Sequence, residues 1–361
     1  TKDIPVIVCE DSPQTPARQK LFRKSGIDAY VRYPAEPHQV LPVVHNLAES
    51  LVLQRRNFSL QQNISEYMTQ LRAVNASATR FVPAEFLKLL GKSNLTDLRL
   101  GDWKSISLAV LFADIRGFTA LSETMTPEEN FRFINSYLSR TGPLIRKHKG
   151  FIDKYIGDGI MALFPRSAQN ALDAAIAMQK EMQVYNRHRA NCGYSPVRIG
   201  IGIHFGDTII GTIGENERIE VTVISDTVNV ASRLESLSKR YGAGILVSGD
   251  AVAQLQKNKK FRLRYTDRVR AKGKQSPIDI YEVLDGLAAE ELGVKLKNRP
   301  ILQKALKNYL AAEPAKAADL LLKLRDTLPL DKAAQVLSEK ISHYMSQPAE
   351  ARGDTVETLY E

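Results

Sequence analysis

Phe151-Ile-Asp-Lys-Tyr-Ile-Gly-Asp-Gly-Ile-Met-Ala-Leu-Phe-Pro165 reads as two apolar strands joined at a Gly-Asp-Gly tip. Asp-Gly between apolar runs is a hairpin signal, and it places Asp158 at the turn. Upstream, Leu108-Ala-Val-Leu-Phe-Ala-Asp114 is an apolar run ending in a second carboxylate, followed by Ile-Arg-Gly-Phe-Thr119. The two segments read as adjacent strands of one fold. Carboxylates held on neighbouring strand ends can bridge a pair of hard divalent cations, which take oxygen ligands and hold phosphate oxygens. The pattern suits attack on a nucleoside triphosphate.

Each signal alone has an ordinary explanation. Asp114 could cap the helix that follows it, and Asp158 could be a simple turn residue. A third segment argues for joint action. Val221-Thr-Val-Ile-Ser-Asp-Thr-Val-Asn-Val-Ala-Ser-Arg-Leu-Glu235 runs from strand into helix, with Asn229 and Arg233 four apart on one helical face. An amide and a guanidinium near a phosphate site can orient a ribose and neutralise charge on a transferring phosphoryl group. The alternative is a solvent-facing polar pair, although Asn offers little to helix stability.

Composition bounds the rest. The chain has 361 residues, 43% apolar and 25% charged, as expected of a soluble globular protein with a sizeable core. No apolar run approaches the roughly 20 residues needed to cross a bilayer, and no secretory signal opens the sequence. Cys9 and Cys192 are far apart without metal-type spacing, which fits a reducing cytoplasm. A net charge of +10 raises nucleic acid or an anionic surface as partners. The basic residues are spread along the chain, however, and the clusters Lys257–Lys260 and Arg262–Lys274 have few interleaved aromatics. They are expected mostly on a solvated surface, with a few positions reserved for phosphates and no nucleic acid bound.

Five regions are expected. Residues 1–42 read as strand, helix and strand, with Ile4–Cys9 a strand, Pro16–Ser25 a helix stopped by Gly26, and Asp28–Tyr33 a second strand. Their order resembles the second half of a response-regulator receiver domain, which implies input from an upstream kinase or sensor. The half of a receiver that carries the phosphoacceptor aspartate is not in this sequence. The expectation is therefore either a longer natural chain or a remnant that takes no phosphate. Residues 43–76 carry apolar positions at Val44, Leu47 and Leu51, then Ile64, Tyr67, Leu71 and Val74, a stripe suited to a parallel coiled coil. Gln54–Asn57 interrupts it. Residues 77–104 read as a connector with a short helix stopped by Gly91, and 105–285 as the main domain of alternating strands and helices. Residues 286–361 read as two or three short helices, with a frayed tail after Ser346.

Four motifs in order resemble the catalytic domain of class III nucleotidyl cyclases. They are Leu111-Phe-Ala-Asp-Ile-Arg-Gly-Phe-Thr119, Lys154-Tyr-Ile-Gly-Asp-Gly159, Arg198-Ile-Gly-Ile-Gly202 and Asp226-Thr-Val-Asn-Val-Ala-Ser-Arg-Leu-Glu235. The resemblance covers roughly half the chain, and the segment 80–102 also resembles the transducing lead-in of bacterial members. It implies an α/β fold with a ferredoxin-like α+β core, working as a head-to-tail homodimer with active sites at the interface. Asp114, Asp158 and the backbone carbonyl of Ile115 would hold two Mg²⁺ or Mn²⁺ ions. Asn229 and Arg233 from the partner would orient the ribose and stabilise the transition state. Arg198 matches the family's phosphate-contacting arginine. Lys272 or Lys274 would meet the terminal phosphates, with Lys272 favoured.

The implied reaction is ATP to cyclic AMP and pyrophosphate. Lys154 stands where adenylyl cyclases carry a lysine that donates to adenine, and guanylyl cyclases typically have Glu there. A donor-only ammonium suits the N1 acceptor of adenine and not the N1–H of guanine. Thr222 stands where animal adenylyl cyclases use Asp, and its hydroxyl can accept from the adenine amino group. The Lys–Thr pairing also resembles a bicarbonate-responsive subgroup. A catalytically silent relative would have lost a metal Asp, the Asn or the Arg, and none is lost here. A diguanylate cyclase would carry a different hairpin tip.

Overall fold

The computed structural model describes residues 5–11, 15–16, 20–21, 24–34, 36–78, 81–165, 167–255, 261–271, 276–324, 326–347 and 355–359. The chain divides into two compact units, Thr1–Phe81 and Val82–Glu361.

In the first unit, β1 (Ile7–Glu10) and β2 (Ala29–Arg32) pair in parallel, Ile7 opposite Ala29. Much of the helix expected over Pro16–Ser25 lies outside the described residues. Helix α1 (Pro37–Ala78) runs unbroken for 42 residues, about 63 Å at the usual rise, and none of its residues is buried. Ile64, Tyr67, Leu71 and Val74 all stand exposed along it.

The second unit opens with α2 (Ala84–Leu90), closed by the left-handed Gly91. Its Phe86 is fully buried and meets Phe151 edge-on at 5.0 Å. There follow β3 (Trp103–Ile115), α3 (Phe118–Ser122), α4 (Pro127–Lys147), β4 (Phe151–Ile156), β5 (Gly159–Phe164), α5 (Ala168–Asn191) and β6 (Ile199–Gly214). The sheet order β6-β3-β5-β4, with every neighbour antiparallel, is the ferredoxin-like βαββαβ arrangement. Helix α4 starts at a capping box between Thr126 and Glu129, with Pro127 in its first turn. Helices α4 and α5 cover one face of the sheet through Phe133, Tyr137, Leu172 and Met178.

Beyond β6 the chain forms β7 (Ile219–Ile224), α6 (Asp226–Arg240), β8 (Ile245–Ser248), α7 (Gly249–Ala253), β9 (Leu263–Ala271) and β10 (Ile278–Val283). Strand β8 joins β6 in parallel, β10 and β9 extend the sheet, and β7 pairs with the distal half of β6. Helix α6 lies so close to β6 that a Cβ on Gly202 would meet Glu235 N at 2.1 Å and Ala231 O at 2.4 Å. Only glycine fits there.

From β9 onward the chain departs from expectation in three ways. Helices α8 (Ala289–Leu310), α9 (Pro314–Leu322) and α10 (Lys332–Ser346) include one of 22 residues, longer than the short helices expected. They share a core with α6, β8, β9 and β10. Within the basic cluster Arg262–Lys274, expected mostly on a solvated surface, Arg264 is fully buried. Its guanidinium donates to Glu282 on β10 and, at 2.6 Å, to Asp331 before α10. Lys295 of α8 reaches the same Glu282 at 2.5 Å and the carbonyl of Gly242 at 3.2 Å. Finally, the tail after Ser346 is not wholly frayed, because β11 (Glu357–Leu359) pairs in parallel with β9.

Candidate active site

Antiparallel pairing brings the two aspartates together. Ala113 on β3 sits opposite Ile160 on β5, so the turn before β5 stands beside Asp114 and Ile115. That turn has two residues, Gly157 and Asp158, between the paired Ile156 and Gly159. Gly157 takes φ +63, the left-handed value required at the first position of such a turn. The Ile115 N–H donates to Asp158 Oδ2 at 3.2 Å. Burial, and then the neighbouring Asp114, push the Asp158 carboxyl up to about 7. Glu235 of α6 is pushed up to about 7 as well, by burial first and then by Asp114, against the pull of Arg116. Arg116 and the Ile115 N–H offset this concentration of carboxyls only in part, and its donors are hard oxygens, the chemistry that Mg²⁺ or Mn²⁺ demands. Among the described residues no three His, Cys, Asp or Glu side chains form a closed cage. The remaining positions on a cation would fall to a backbone carbonyl such as that of Ile115, to water and to phosphate.

A second cluster gathers around Lys154 on β4. Its ammonium donates to Thr222 Oγ1 on β7 at 3.0 Å and also meets the Glu220 carboxylate. Thr222 is buried, whereas the Glu220 side chain is half exposed. The register of β4 against β5 slips between Ile152 and Lys154. Adjacent strand residues normally point to opposite faces, and a bulge re-aims them. The buried carboxylate of Asp153 thus comes to lie 3.8 Å from the Lys154 ammonium. Neither Asp153 oxygen has a hydrogen-bond partner among the described residues. Burial pushes this carboxyl up to about 6, with Lys154 opposing.

Asn229 and Arg233 lie on α6, whose first turn is capped by Ser225 accepting from the Val228 N–H. Asn229 is exposed and Arg233 half-buried. Arg198, exposed, immediately precedes β6, and its carbonyl accepts from the Arg116 N–H at 2.9 Å. The Arg116 guanidinium in turn donates to the Ser238 carbonyl at 2.9 Å, tying the strand end that carries Asp114 to the C-terminal end of α6. Lys272 and Lys274 lie outside the described residues.

Asp114 with Asp158, and Lys154 with Thr222, are therefore direct neighbours, while Asn229 and Arg233 share one helix. Sequence reasoning missed Asp153, Glu220, Glu235 and Arg116. Glu220 had a usable signal, since a residue two before Thr222 shares its strand face. Asp153 had none, because a bulge leaves no mark in this sequence.

Comparison with known proteins agrees with the geometry. Residues 104–284, half of the chain, match the family described as adenylate and guanylate cyclase catalytic domain. An adenylate cyclase of Anabaena cylindrica is 43% identical over 220 residues, covering 59% of this chain and 44% of that protein. Adenylate cyclase 1 of Rhizobium meliloti is 30% identical over 264 residues, covering 68% of this chain and 39% of that protein. The chain thus spans less than half the length of these curated relatives. The solved structure of a bacterial light-regulated adenylyl cyclase is similar in fold, with a TM-score of 0.52 at 19% identity, over 77% of this chain and 72% of that one. Among the described residues no helix is long and apolar enough to cross a membrane.

Proposed function

The chain belongs to the adenylate and guanylate cyclase catalytic-domain family, and on that premise we propose that it converts ATP to 3′,5′-cyclic AMP and pyrophosphate. The observation that carries the choice of ATP is the contact between Lys154 and Thr222 at 3.0 Å. It makes one unit of a donor for adenine N1 and a hydroxyl that can accept from the adenine amino group.

Asp114, Asp158 and the Ile115 carbonyl would hold two Mg²⁺ or Mn²⁺ ions. Bound there, such ions lower the pKa of a ribose 3′-hydroxyl and neutralise triphosphate charge. Asn229 orients the ribose so that its 3′-oxygen faces the α-phosphorus in line with the bridging oxygen. The 3′-hydroxyl gives its proton to water, and the O3′–P bond forms as the P–O bond to pyrophosphate breaks. Arg233 stabilises the charge that develops during this exchange, and Arg198 and Lys272 hold the departing phosphates.

Each site is built by two subunits arranged head to tail, with Asp114 and Asp158 from one and Asn229 and Arg233 from the other. Exposed apolar residues on the β4–β5 hairpin (Tyr155, Ile156) and on β7 (Ile219, Ile224) support such an interface. The exposed stripe of α1 supports a parallel coiled coil through which the N-terminal unit biases the catalytic pair. A cytoplasmic setting fits the nucleotide substrate and the two unpaired cysteines, both exposed.

Turnover of ATP and of GTP, each with Mg²⁺ and with Mn²⁺, tests the reading beside an Asp158→Ala control. Cyclic AMP from ATP, abolished in the variant, is the expected result. Cyclic GMP as the main product would overturn the assignment of Lys154 and Thr222.

A further inference from the structure

Glu220 has no role in the reaction described so far, yet it holds the same ammonium as Thr222. The two side chains are two residues apart on β7 and project from one face, with Glu220 opposite Ile213 and Thr222 opposite Gly211 on β6. Buried Thr222 forms the floor of the Lys154 cluster, and Glu220, 51% exposed, forms its rim. The Lys154 ammonium holds the Glu220 carboxyl below the usual carboxylate range, so the group is ionised at neutral pH. A surface ion pair of this kind contributes little to stability, so the fold does not require it.

The donor and acceptor count points to the base. An ammonium has three N–H donors. Thr222 and Glu220 take two of them, which leaves the third for N1 of adenine. At the neighbouring 6-position adenine carries an amino group, a donor, whereas guanine carries an oxygen. A carboxylate can only accept. It pairs with the amino group and repels the oxygen.

We infer that Glu220 is a specificity-determining residue, accepting a hydrogen bond from the 6-amino group of adenine and disfavouring guanine. This rests on the cyclase function proposed above and adds to it a third base-reading side chain.

The test is Glu220→Gln, which keeps the size of the side chain and replaces one acceptor by a donor suited to guanine O6. Because Glu220 is exposed, the melting temperature should be unchanged. Two readouts are taken on wild type and variant. One is kcat/KM for ATP and for GTP. The other is calorimetric binding of 3′-deoxy-ATP and 3′-deoxy-GTP, which lack the attacking hydroxyl. The preference for adenine should fall by about tenfold in both, the loss of one charge-assisted hydrogen bond. Most of the kinetic change should lie in KM. An unchanged ratio would overturn the inference, as would a loss confined to the guanine nucleotides, which would put Glu220 against the 2-amino group. Should the wild type form no cyclic AMP, the proposed function fails, and the binding ratio still decides the role of Glu220.

Discussion

Asp153 is a carboxylate with no solvent contact, no hydrogen-bond partner among the described residues and one ammonium 3.8 Å away. Burial pushes its carboxyl up to about 6 from the ordinary 3.8. A raised acid is favoured in its protonated form by the folded state. Its contribution to stability is therefore full below about pH 3.8 and is lost as pH rises through about 6. Asp153→Asn removes this ionisation. The variant should match the wild type in melting temperature near pH 4 and exceed it by about 1–3 kcal/mol of stability at pH 7.5. A constant difference across pH 4–8 would show that Asp153 does not titrate there. Lys154 and Thr222 were singled out in the sequence through the resemblance to class III cyclases. Asp153 and Glu220 were not, since their meaning depends on a bulge and on which strands converge upon one ammonium. Lys272, named from the Lys-Gly-Lys pattern, lies outside the described residues.

Helix α6 gathers more of the proposed site than any other helix, and its position depends on a missing side chain. Gly202 lies under it, where a Cβ would come within 2.1 Å of backbone. Backbone cannot rotate away, so Gly202→Ala must lift the helix that carries Asn229 and Arg233. Overpacking of this kind costs about 1–3 kcal/mol, and a displacement near 1 Å of positioning groups costs about a hundredfold in rate. The expected outcome is a folded protein with lowered melting temperature and kcat reduced far more than ATP affinity. Unaltered kcat would mean that α6 need not sit so close. Alternating strands and helices over 105–285 were legible from apolar period and turn signals, whereas the ferredoxin-like core was expected only through the resemblance to class III cyclases. The glycine run of β6 and the helix carrying Asn229 and Arg233 were both legible, but the close approach of one to the other was not. The stripe on α1 was also plain, and the helix is there, with none of its 42 residues buried.

Across the whole molecule, the C-terminal helices are attached to the sheet by charge as well as by apolar packing. Arg264, Glu282, Lys295, Asn298 and Asp331 are all buried and mutually bonded. Burial works to raise the carboxyl of Asp331, yet the Arg264 guanidinium holds it below the usual range. Removing one member leaves its partners charged without solvent, a loss of about 3–5 kcal/mol. Arg264→Met should therefore lower the unfolding free energy by that much, read as a lower urea midpoint at unchanged slope. A loss below about 1 kcal/mol, within the range of a surface pair, would show that the cluster is not buried in solution. Sequence reasoning expected the basic cluster that contains Arg264 mostly on the surface and made no reading of its partners; charged residues are rarely fully buried, and a buried network has no local period to reveal it.

The family match ends at Leu284, whereas the packed unit runs from Val82 to Glu361. Cutting at the end of the match would strip Lys295, Asn298 and Asp331 from Arg264 and Glu282 and open a charged wound in the sheet. Grafting this family domain onto another protein therefore demands that helices α8 to α10 travel with it. The portable module is larger than the signature by which such modules are recognised.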